Sequence, residues 1–317
     1  MKKIVWVLIC MPILSIADGT WTLRAPMLEA NSEFAVAEIH GEIYAMGGYP
    51  ASRITQRTVQ IYNIENDSWR LGPSLPMPIN HGTASVVEGI LYLIGGATGG
   101  GSSAGGVGEQ NSVYAFDPTI GKWKNKQPMP TKRSGLVSAV ANGKIYVAGG
   151  RAPRAHDFAV YDPSIDKWET LPDFPSKANH MAAASFNDKV HVFGGRLLRS
   201  HKSELTAAHL IYDPDKRIWE YGPPLPRPRS GNNAILANGC LHVWGGEGSG
   251  GMFADHDIFD PVKKVWISLP DMTFPIHGVT GAAFVGGVIF APGGGDAVGG
   301  ESGTTLNQAY KPQIKCL

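Results

Sequence analysis

The chain has 317 residues, of which 28 are basic, 27 are acidic and 43% are hydrophobic. The balanced charge gives no basic field that would hold a phosphate backbone, so we do not expect a nucleic-acid partner. The 40 glycines follow no triplet period, which excludes a collagen-like rod. Together with 23 prolines they indicate many short strands joined by turns.

The N-terminal segment has the pattern of a signal peptide. Two lysines precede the apolar run of residues 4–16, and small residues stand at positions 15 and 17. This pattern predicts cleavage between Ala17 and Asp18 and a secreted or periplasmic protein. The run has about 13 residues and is shorter than the ~20 that span a bilayer, so we expect no transmembrane segment. We assign 1–17 to the signal peptide and 18–317 to one domain.

One unit repeats six times after residue 20. A short apolar strand ends in Gly-Gly, and the first glycines of the six pairs are Gly47, Gly95, Gly149, Gly194, Gly245 and Gly293. An aromatic residue follows each pair, and a tryptophan stands seven residues later in five repeats, at Trp69, Trp123, Trp168, Trp219 and Trp266. The sixth repeat lacks its tryptophan, while Trp21 stands at the start without a repeat. A regular period of this length indicates a closed propeller, with Trp21 completing the sixth unit.

Gly-Gly, a spaced aromatic residue and a tryptophan in repeats of this length resemble the kelch family over residues 20–312. The resemblance implies an all-β, six-bladed kelch β-propeller made of four-stranded antiparallel blades. Its last blade is then closed by the N-terminal strand. We expect the strand at Trp21 to pair with the strand at Tyr310, because closing the ring removes exposed strand edges.

Polar residues are dense where each inner strand begins, next to the central channel. Alignment by distance to Gly-Gly places His277 at the same position as Arg133 and Arg229. From these entry positions we predict a ligand-binding rim of Asn31, Glu33, Asn80, His81, Arg133, Ser134, Asn179, His180, Arg229, Ser230 and His277. The kelch resemblance implies that the two arginines act as pocket arginines for acidic ligands.

Histidines invite a second interpretation of the rim. His81, His180 and His277 come from alternate blades, and imidazole is a common ligand for zinc, copper or iron. The different register of His277 counts against convergence, so we predict no metal and no other cofactor. His191 and His242 occupy a position that is aromatic in the other blades, and we predict that both are packed in the core.

Other polar features of the loops give no catalytic motif. Arg196 lies in a mixed charge cluster that we interpret as solvated surface, and Glu247 begins the blade-five loop. The mature chain keeps two cysteines, Cys240 and Cys316. Export permits a disulfide between them, but two cysteines form no framework, so we favour two unpaired thiols.

We favour a monomeric, non-catalytic binding module that holds a glycan or an acidic or peptide ligand. The alternative is a sugar mutarotase or epimerase, because some exported six-bladed kelch proteins are sialic acid mutarotases. In that case Arg133 or Arg229 binds the carboxylate, and Glu33, Glu204 or a histidine moves protons. A copper radical oxidase similar to galactose oxidase is a weaker third possibility, because neither mature cysteine falls at a channel position.

Overall fold

The computed structural model describes residues 19–99, 108–299 and 302–316. The expected signal peptide lies outside the described residues, as do residues 100–107 of the blade-two loop. The described part contains 27 strands and no helix. It therefore has no helix with the length and hydropathy needed to cross a lipid bilayer.

The first thirteen strands supply the outer strand of the last blade and all of blades one to three. They are β1 (Trp21–Leu23), β2 (Phe34–Ile39), β3 (Glu42–Met46), β4 (Val59–Asn63), β5 (Ser68–Leu71), β6 (Thr83–Val87), β7 (Ile90–Ile94), β8 (Val113–Asp117), β9 (Lys122–Asn125), β10 (Val137–Ala141), β11 (Lys144–Ala148), β12 (Phe158–Asp162) and β13 (Lys167–Leu171).

The remaining strands supply blades four to six. They are β14 (Ala182–Phe186), β15 (Lys189–Phe193), β16 (His209–Asp213), β17 (Ile218–Tyr221), β18 (Asn233–Ala237), β19 (Cys240–Trp244), β20 (Glu247–Gly248), β21 (Gly251–Met252), β22 (His256–Asp260), β23 (Val265–Leu269), β24 (Val279–Thr280), β25 (Ala283–Val285), β26 (Val288–Pro292) and β27 (Asn307–Tyr310).

The predicted six-bladed β-propeller is confirmed. Each of the six blades has four antiparallel strands, and the inner strands are β2, β6, β10, β14, β18 and β25. Apolar side chains from adjacent blades form six clusters, one between each pair of neighbours. Between blades three and four, the rings of Phe158 and Tyr212 meet edge to face at 4.7 Å. The core is therefore divided among the blade interfaces.

Four of the repeated tryptophans tie their blade to the segment that precedes it by a hydrogen bond. Trp69 pairs with Tyr62 across the β4–β5 ladder, and its indole N–H donates to the carbonyl of Ala25, 2.9 Å away. The indoles of Trp123, Trp168 and Trp266 donate to backbone carbonyls of the preceding linkers in the same way. This pattern explains the seven-residue spacing, because the tryptophan must lie opposite the aromatic residue of the previous strand.

The N-terminal strand closes the ring as expected. β1 pairs antiparallel with β27, and Trp21 lies opposite Tyr310. At the inner edge, the amide of the second glycine in each pair donates to a backbone carbonyl of the next blade. The acceptor belongs to the first of the three entry positions, which are the three consecutive residues that lead into the inner strand. Gly48 N bonds to Ile79 O at 2.7 Å, and Gly294 N bonds to Asn31 O at 3.0 Å, which completes the circle.

The predicted register of blade six is wrong by one residue. Gly246 N donates to the carbonyl of Ile276, so Ile276 occupies the position that we assigned to His277. The inner strand of this blade is interrupted, because β24 lies parallel to β2 and only β25 continues the blade. The interruption adds a residue between the entry and Gly-Gly, and counting back from Gly-Gly therefore misplaces His277.

The prediction of two unpaired thiols is also wrong. Cys240 and Cys316 form a disulfide, and the Cys316 amide donates to Asn238 O at 3.0 Å. The C-terminal segment folds back onto blade five after completing blade six, which brings the two cysteines together. The predicted core positions of His191 and His242 are confirmed, since both are buried.

Candidate functional site

A closed circle of backbone hydrogen bonds surrounds the propeller axis at the start of the inner strands. One residue of each blade donates its amide to the carbonyl of the equivalent residue in the preceding blade. The six residues are Glu33, His81, Gly135, His180, Gly231 and Gly278. All six have positive φ, between 52° and 68°. Glycine accepts this conformation most readily, so a glutamate and two histidines held in it carry a backbone cost.

Two of the three glycines of the circle lie directly against functional side chains and leave room for them. A Cβ on Gly135 would lie 2.9 Å from the imidazole of His180, and a Cβ on Gly278 would lie 2.9 Å from the Glu33 carboxylate. Glu33 Oε2 is 3.1 Å from His81 Nε2 and 4.0 Å from His180 Nε2. The circle therefore brings one carboxylate and two imidazoles together on the axis.

Asparagines fix both imidazoles in the same tautomer. Asn80 Oδ1 lies 2.6 Å from His81 Nδ1, and Asn179 Oδ1 lies 2.6 Å from His180 Nδ1. The amide nitrogens of both asparagines donate to backbone carbonyls, which leaves their oxygens to accept. Each Nδ1 must therefore carry a proton, and each neutral imidazole presents a bare Nε2 to the axis.

Arg151 reaches the same point from the loop of blade three. Its Nη2 lies 2.8 Å from His81 Nε2 and 3.5 Å from His180 Nε2. Within the described residues, its Nε atom has no hydrogen-bond partner although the side chain is buried. The hydroxyl of Tyr49, which packs near His81, is also buried without a partner in this part of the chain. We call Glu33, His81, Arg151 and His180 the axial cluster.

A second charged group adjoins the axial cluster. Arg196 Nη1 lies 2.6 Å from Glu247 Oε1, and His277 Nε2 lies 3.5 Å from Glu247 Oε2. The amide of Gly299, from the blade-six loop, donates to Glu247 Oε2 at 2.7 Å. Arg53 of the blade-one loop donates to the carbonyl of the same glycine at 3.1 Å. Loops of blades one and six thus meet above the Glu247 carboxylate.

Burial controls the protonation of the axial cluster. The side chains of Glu33, His81 and His180 are each at most 7% exposed. Burial raises the pKa of Glu33 and holds the pKa values of His81 and His180 well below the usual histidine value. Burial also lowers the pKa of Arg151. The enclosed site therefore shifts the Glu33 carboxyl group and both imidazoles toward their uncharged forms, beside a buried guanidinium.

The predicted rim residues separate into two groups. Glu33, His81 and His180 meet on the axis, and Asn80 and Asn179 orient the histidines. His277 contacts Glu247 instead of joining the other two histidines. Asn31 donates to Gly47 O at 2.6 Å, and Ser134 donates to Glu109 at 3.3 Å, so both hold nearby backbone or loops. Ser230 is buried, and its hydroxyl has no partner within the described ranges.

Arg133 and Arg229 are not pocket arginines in this structure. Arg133 donates to the carbonyls of Gly149 and Asp157, at 3.1 and 2.9 Å, inside its own blade. Arg229 pairs with Asp257 and donates to Asp255 O at 3.1 Å. Both side chains are fully buried. Each arginine donates to the backbone carbonyl just before the third strand of its own blade. This structural role explains why an arginine stands at this repeat position in both blades.

Two arginines at the site were not assigned to it from the sequence. Arg151 and Arg196 each follow a Gly-Gly pair directly, as do Tyr49 and Glu247. The residue after Gly-Gly pairs with the second entry position, for example Arg196 with Asn179 and Glu247 with Ser230. Our interpretation of Arg196 as solvated surface is wrong, since the side chain is buried. Alignment of the residues after Gly-Gly would have identified this set.

A cavity of about 350 Å³ continues along the channel from the circle. It is lined by inner-strand residues of all six blades, most of them small, such as Ala84, Ser138 and Ala184. Polar contacts on its wall include Ser85 Oγ to Ser138 Oγ at 2.8 Å. The axial cluster therefore stands at one end of a channel lined mainly by small side chains, with Glu38 as a further charged residue along it.

Comparison with known proteins identifies the family. Residues 13–195, more than half of the chain, match the KLHDC2/KLHL20/DRC7 Kelch-repeats domain. The chain belongs to the kelch-repeat β-propeller family. The chain is 30% identical to beta-scruin of Limulus polyphemus over 41% of its length, and 32% identical to human kelch-like protein 34, also over 41%. It covers only 14% and 20% of those relatives.

A longer match covers more of the chain at lower identity. The human kelch repeat and BTB domain-containing protein 12 is 25% identical over 69% of the chain, which corresponds to 30% of that protein. The solved structure of YjhT superposes with a TM-score of 0.73 and covers 90% of this chain and 96% of YjhT, at 18% identity. This superposition supports the fold. Kelch propellers are generally protein-binding modules.

Proposed function

We propose that this kelch propeller binds a small carboxylate-bearing ligand, such as a sugar acid, at the axial cluster. The observation that carries the proposal is Arg151. Its guanidinium is buried and, within the described residues, contacts two neutral imidazoles while its Nε has no partner. Within the described residues Arg151 forms no direct ion pair, since the nearby Glu33 carboxyl contacts His81 and His180 instead, and a ligand carboxylate would compensate the buried charge through paired N–H donors.

Neighbouring groups add selectivity for such a ligand. Arg196 is a second buried guanidinium, and Tyr49 offers a hydroxyl without a partner in the described structure. A ligand with a carboxylate and several hydroxyls would satisfy these groups together. The site is enclosed by the loops of blades one and six, which favours a small ligand over a folded protein surface.

Calorimetric titration tests the proposal. N-acetylneuraminate and glucuronate are compared with neutral N-acetylglucosamine and with an acidic peptide. We expect the sugar acids to bind and Arg151→Ala to remove the binding, while Arg217→Ala, at an exposed ion pair, leaves it unchanged. Equal binding by the wild type and Arg151→Ala would place the ligand elsewhere. Binding of the peptide alone would assign the site to acidic peptides.

A sugar mutarotase is the second candidate, and the contact between Glu33 and His81 supports it. A carboxyl group 3.1 Å from an imidazole, beside a cation that can anchor a carboxylate, can pass a proton between ring and anomeric oxygens. Anomer exchange of N-acetylneuraminate, followed by NMR, tests this function. We expect acceleration by the wild type that Glu33→Gln removes. No acceleration with retained binding leaves the non-catalytic function.

We further propose that the protein is exported. The Cys240–Cys316 disulfide supports this location, because structural disulfides persist in oxidising compartments. Fractionation of bacterial cells that express the full chain tests it, with a chain beginning at Asp18 as the control. We expect the full chain in the periplasm or medium and the shortened chain in the cytoplasm. Retention of both in the cytoplasm contradicts export.

A further inference from the structure

We propose that Glu33, His81 and His180 form a binding site for one divalent transition-metal ion. The carboxylate oxygen and the two Nε2 atoms all lie within 4.8 Å of one another, and all three residues are buried. Two imidazoles and one carboxylate are a donor set that suits zinc or ferrous iron, with further positions open to a ligand. This ligand set has Glu33 in place of His277, the third histidine considered from the sequence, because His277 contacts Glu247.

The tautomers of the two histidines support this assignment. Asn80 and Asn179 accept the Nδ1–H groups at 2.6 Å, so both bare Nε2 atoms turn to the same point. Metal-binding histidines generally donate their second ring nitrogen to such a partner, which fixes the ring and raises its basicity. Equivalent positions of blades two and four provide the same pair of residues, Asn-His, at the same register.

A cation already stands where the metal would bind. Arg151 Nη2 lies 2.8 Å from His81 Nε2 and 3.5 Å from His180 Nε2, so the guanidinium occupies the ring nitrogens that would bind the metal, while Glu33 Oε2 contacts the same two nitrogens. Within the described residues this guanidinium has no other side-chain hydrogen bond, and its Nε is unpartnered. Movement of the guanidinium away from a metal ion would therefore break only its two contacts with the histidines.

The required movement is small. Ligand atoms at about 2.0–2.1 Å from a tetrahedral zinc ion lie ~3.3 Å apart. Glu33 Oε2 and His81 Nε2 are already 3.1 Å apart, and His180 Nε2 must approach Glu33 from 4.0 Å. Gly135 and Gly278 place no Cβ against His180 and Glu33, where an added Cβ would come within 2.9 Å of each side chain. The displaced Arg151 would then neutralise an anion bound to the open position of the metal.

The test uses the chain from residue 18 onward, dialysed against a chelator and then against zinc. Elemental analysis is expected to give one zinc per chain, and cobalt should produce the visible absorption of a four-coordinate site. Asn179→Ala removes a supporting contact and should weaken zinc binding by about 10- to 100-fold. Glu33→Gln and His180→Asn each remove a ligand and should weaken zinc binding at least as much.

Three further variants make the result specific. His191→Phe removes a buried histidine of the same blade that lies outside the site, and phenylalanine occupies the equivalent position at Phe290, so zinc binding should persist. Arg151→Ala should tighten binding, because it removes the competing cation. Circular dichroism confirms that each variant is folded. Sub-stoichiometric zinc in the wild type, or loss of zinc binding with His277→Asn but not with Glu33→Gln, overturns the proposal.

Discussion

Arg196 and Glu247, from neighbouring blades, form an ion pair of 2.6 Å in which both side chains are buried. Arg217 and Glu169 are also 2.6 Å apart, but both are about half exposed. Loss of one partner from a buried pair leaves an unpaired charge, so Glu247→Ala should lower the free energy of unfolding by about 3–5 kcal/mol. Glu169→Ala should change it by less than about 1 kcal/mol. Urea unfolding measures both, and equal effects would contradict the assigned burial.

The N-terminal strand provides a second prediction. Trp21 packs against Trp244 and Tyr310, with ring centroids at 5.8 and 5.3 Å, and is 6% exposed. Trp21→Ala should therefore lower the free energy of unfolding by about 3–5 kcal/mol. Leu23→Ala, in the same strand but 51% exposed, is the control and should have little effect.

Removal of residues 19–24 should also uncover the edge of β27 and cause self-association, because an unpaired edge can pair with another chain. Size-exclusion chromatography measures this effect. A shortened chain that stays monomeric with an unchanged melting temperature would show that the ring does not depend on this strand.

Buried histidine pairs predict acid lability. His191 contacts His209, and His242 contacts His256, each with ring nitrogens 2.9 Å apart. Burial lowers the pKa of His191 to about 3, of His209 to about 4 and of His242 to about 3. The unfolded chain binds protons below about pH 6.5 while the folded chain does not, so stability is lost as the pH falls from 6.5 toward 3.

Urea unfolding between pH 7.5 and 4 measures this dependence. Each group contributes up to about 1.4 kcal/mol per pH unit within its window. Replacement of His191 by Phe together with His209 by Leu should reduce the slope, since two of the titrating groups are removed. An unchanged slope would show that these histidines are already charged in the folded protein.

The disulfide fastens the C-terminal segment to blade five. It joins residues 76 positions apart, and closing a loop of that length should stabilise the fold by about 2–5 kcal/mol. A Cys240→Ser, Cys316→Ser double variant should show this loss in urea unfolding without reductant. With reductant, the wild type should match the variant. A reductant effect that persists in the variant would exclude the disulfide as its cause.

Gly135 and Gly143 form a matched pair for testing the circle on the axis. Their φ angles are 65° and 69°, so alanine is strained at both positions. Only at Gly135 does the added Cβ meet another group, the His180 imidazole at 2.9 Å. Gly135→Ala should therefore cost about 1–3 kcal/mol more than Gly143→Ala in urea unfolding. Equal costs would mean that His180 is not packed as described.

The repeat was sufficient to predict the scaffold. Gly-Gly, the aromatic residue and the tryptophan each perform the same task in successive blades, so their spacing appears directly in the sequence. The unmatched Trp21 also predicted the closure of the sixth blade. Glu33, His81 and His180 were found because they occupy one repeat position. The register of His277 was wrong because the interruption of the blade-six inner strand changes the count.

The tertiary structure alone decided which polar groups face one another. Arg133 and Arg196 both lie beside Gly-Gly elements of the repeat, yet Arg133 turns into its own blade and Arg196 reaches Glu247 of the next. Cys240 and Cys316 meet because the chain folds back after closing the ring. Repeat spacing specifies where a residue stands in its blade. The direction of a long side chain, and the partner that it meets across the axis, depend on all six blades together.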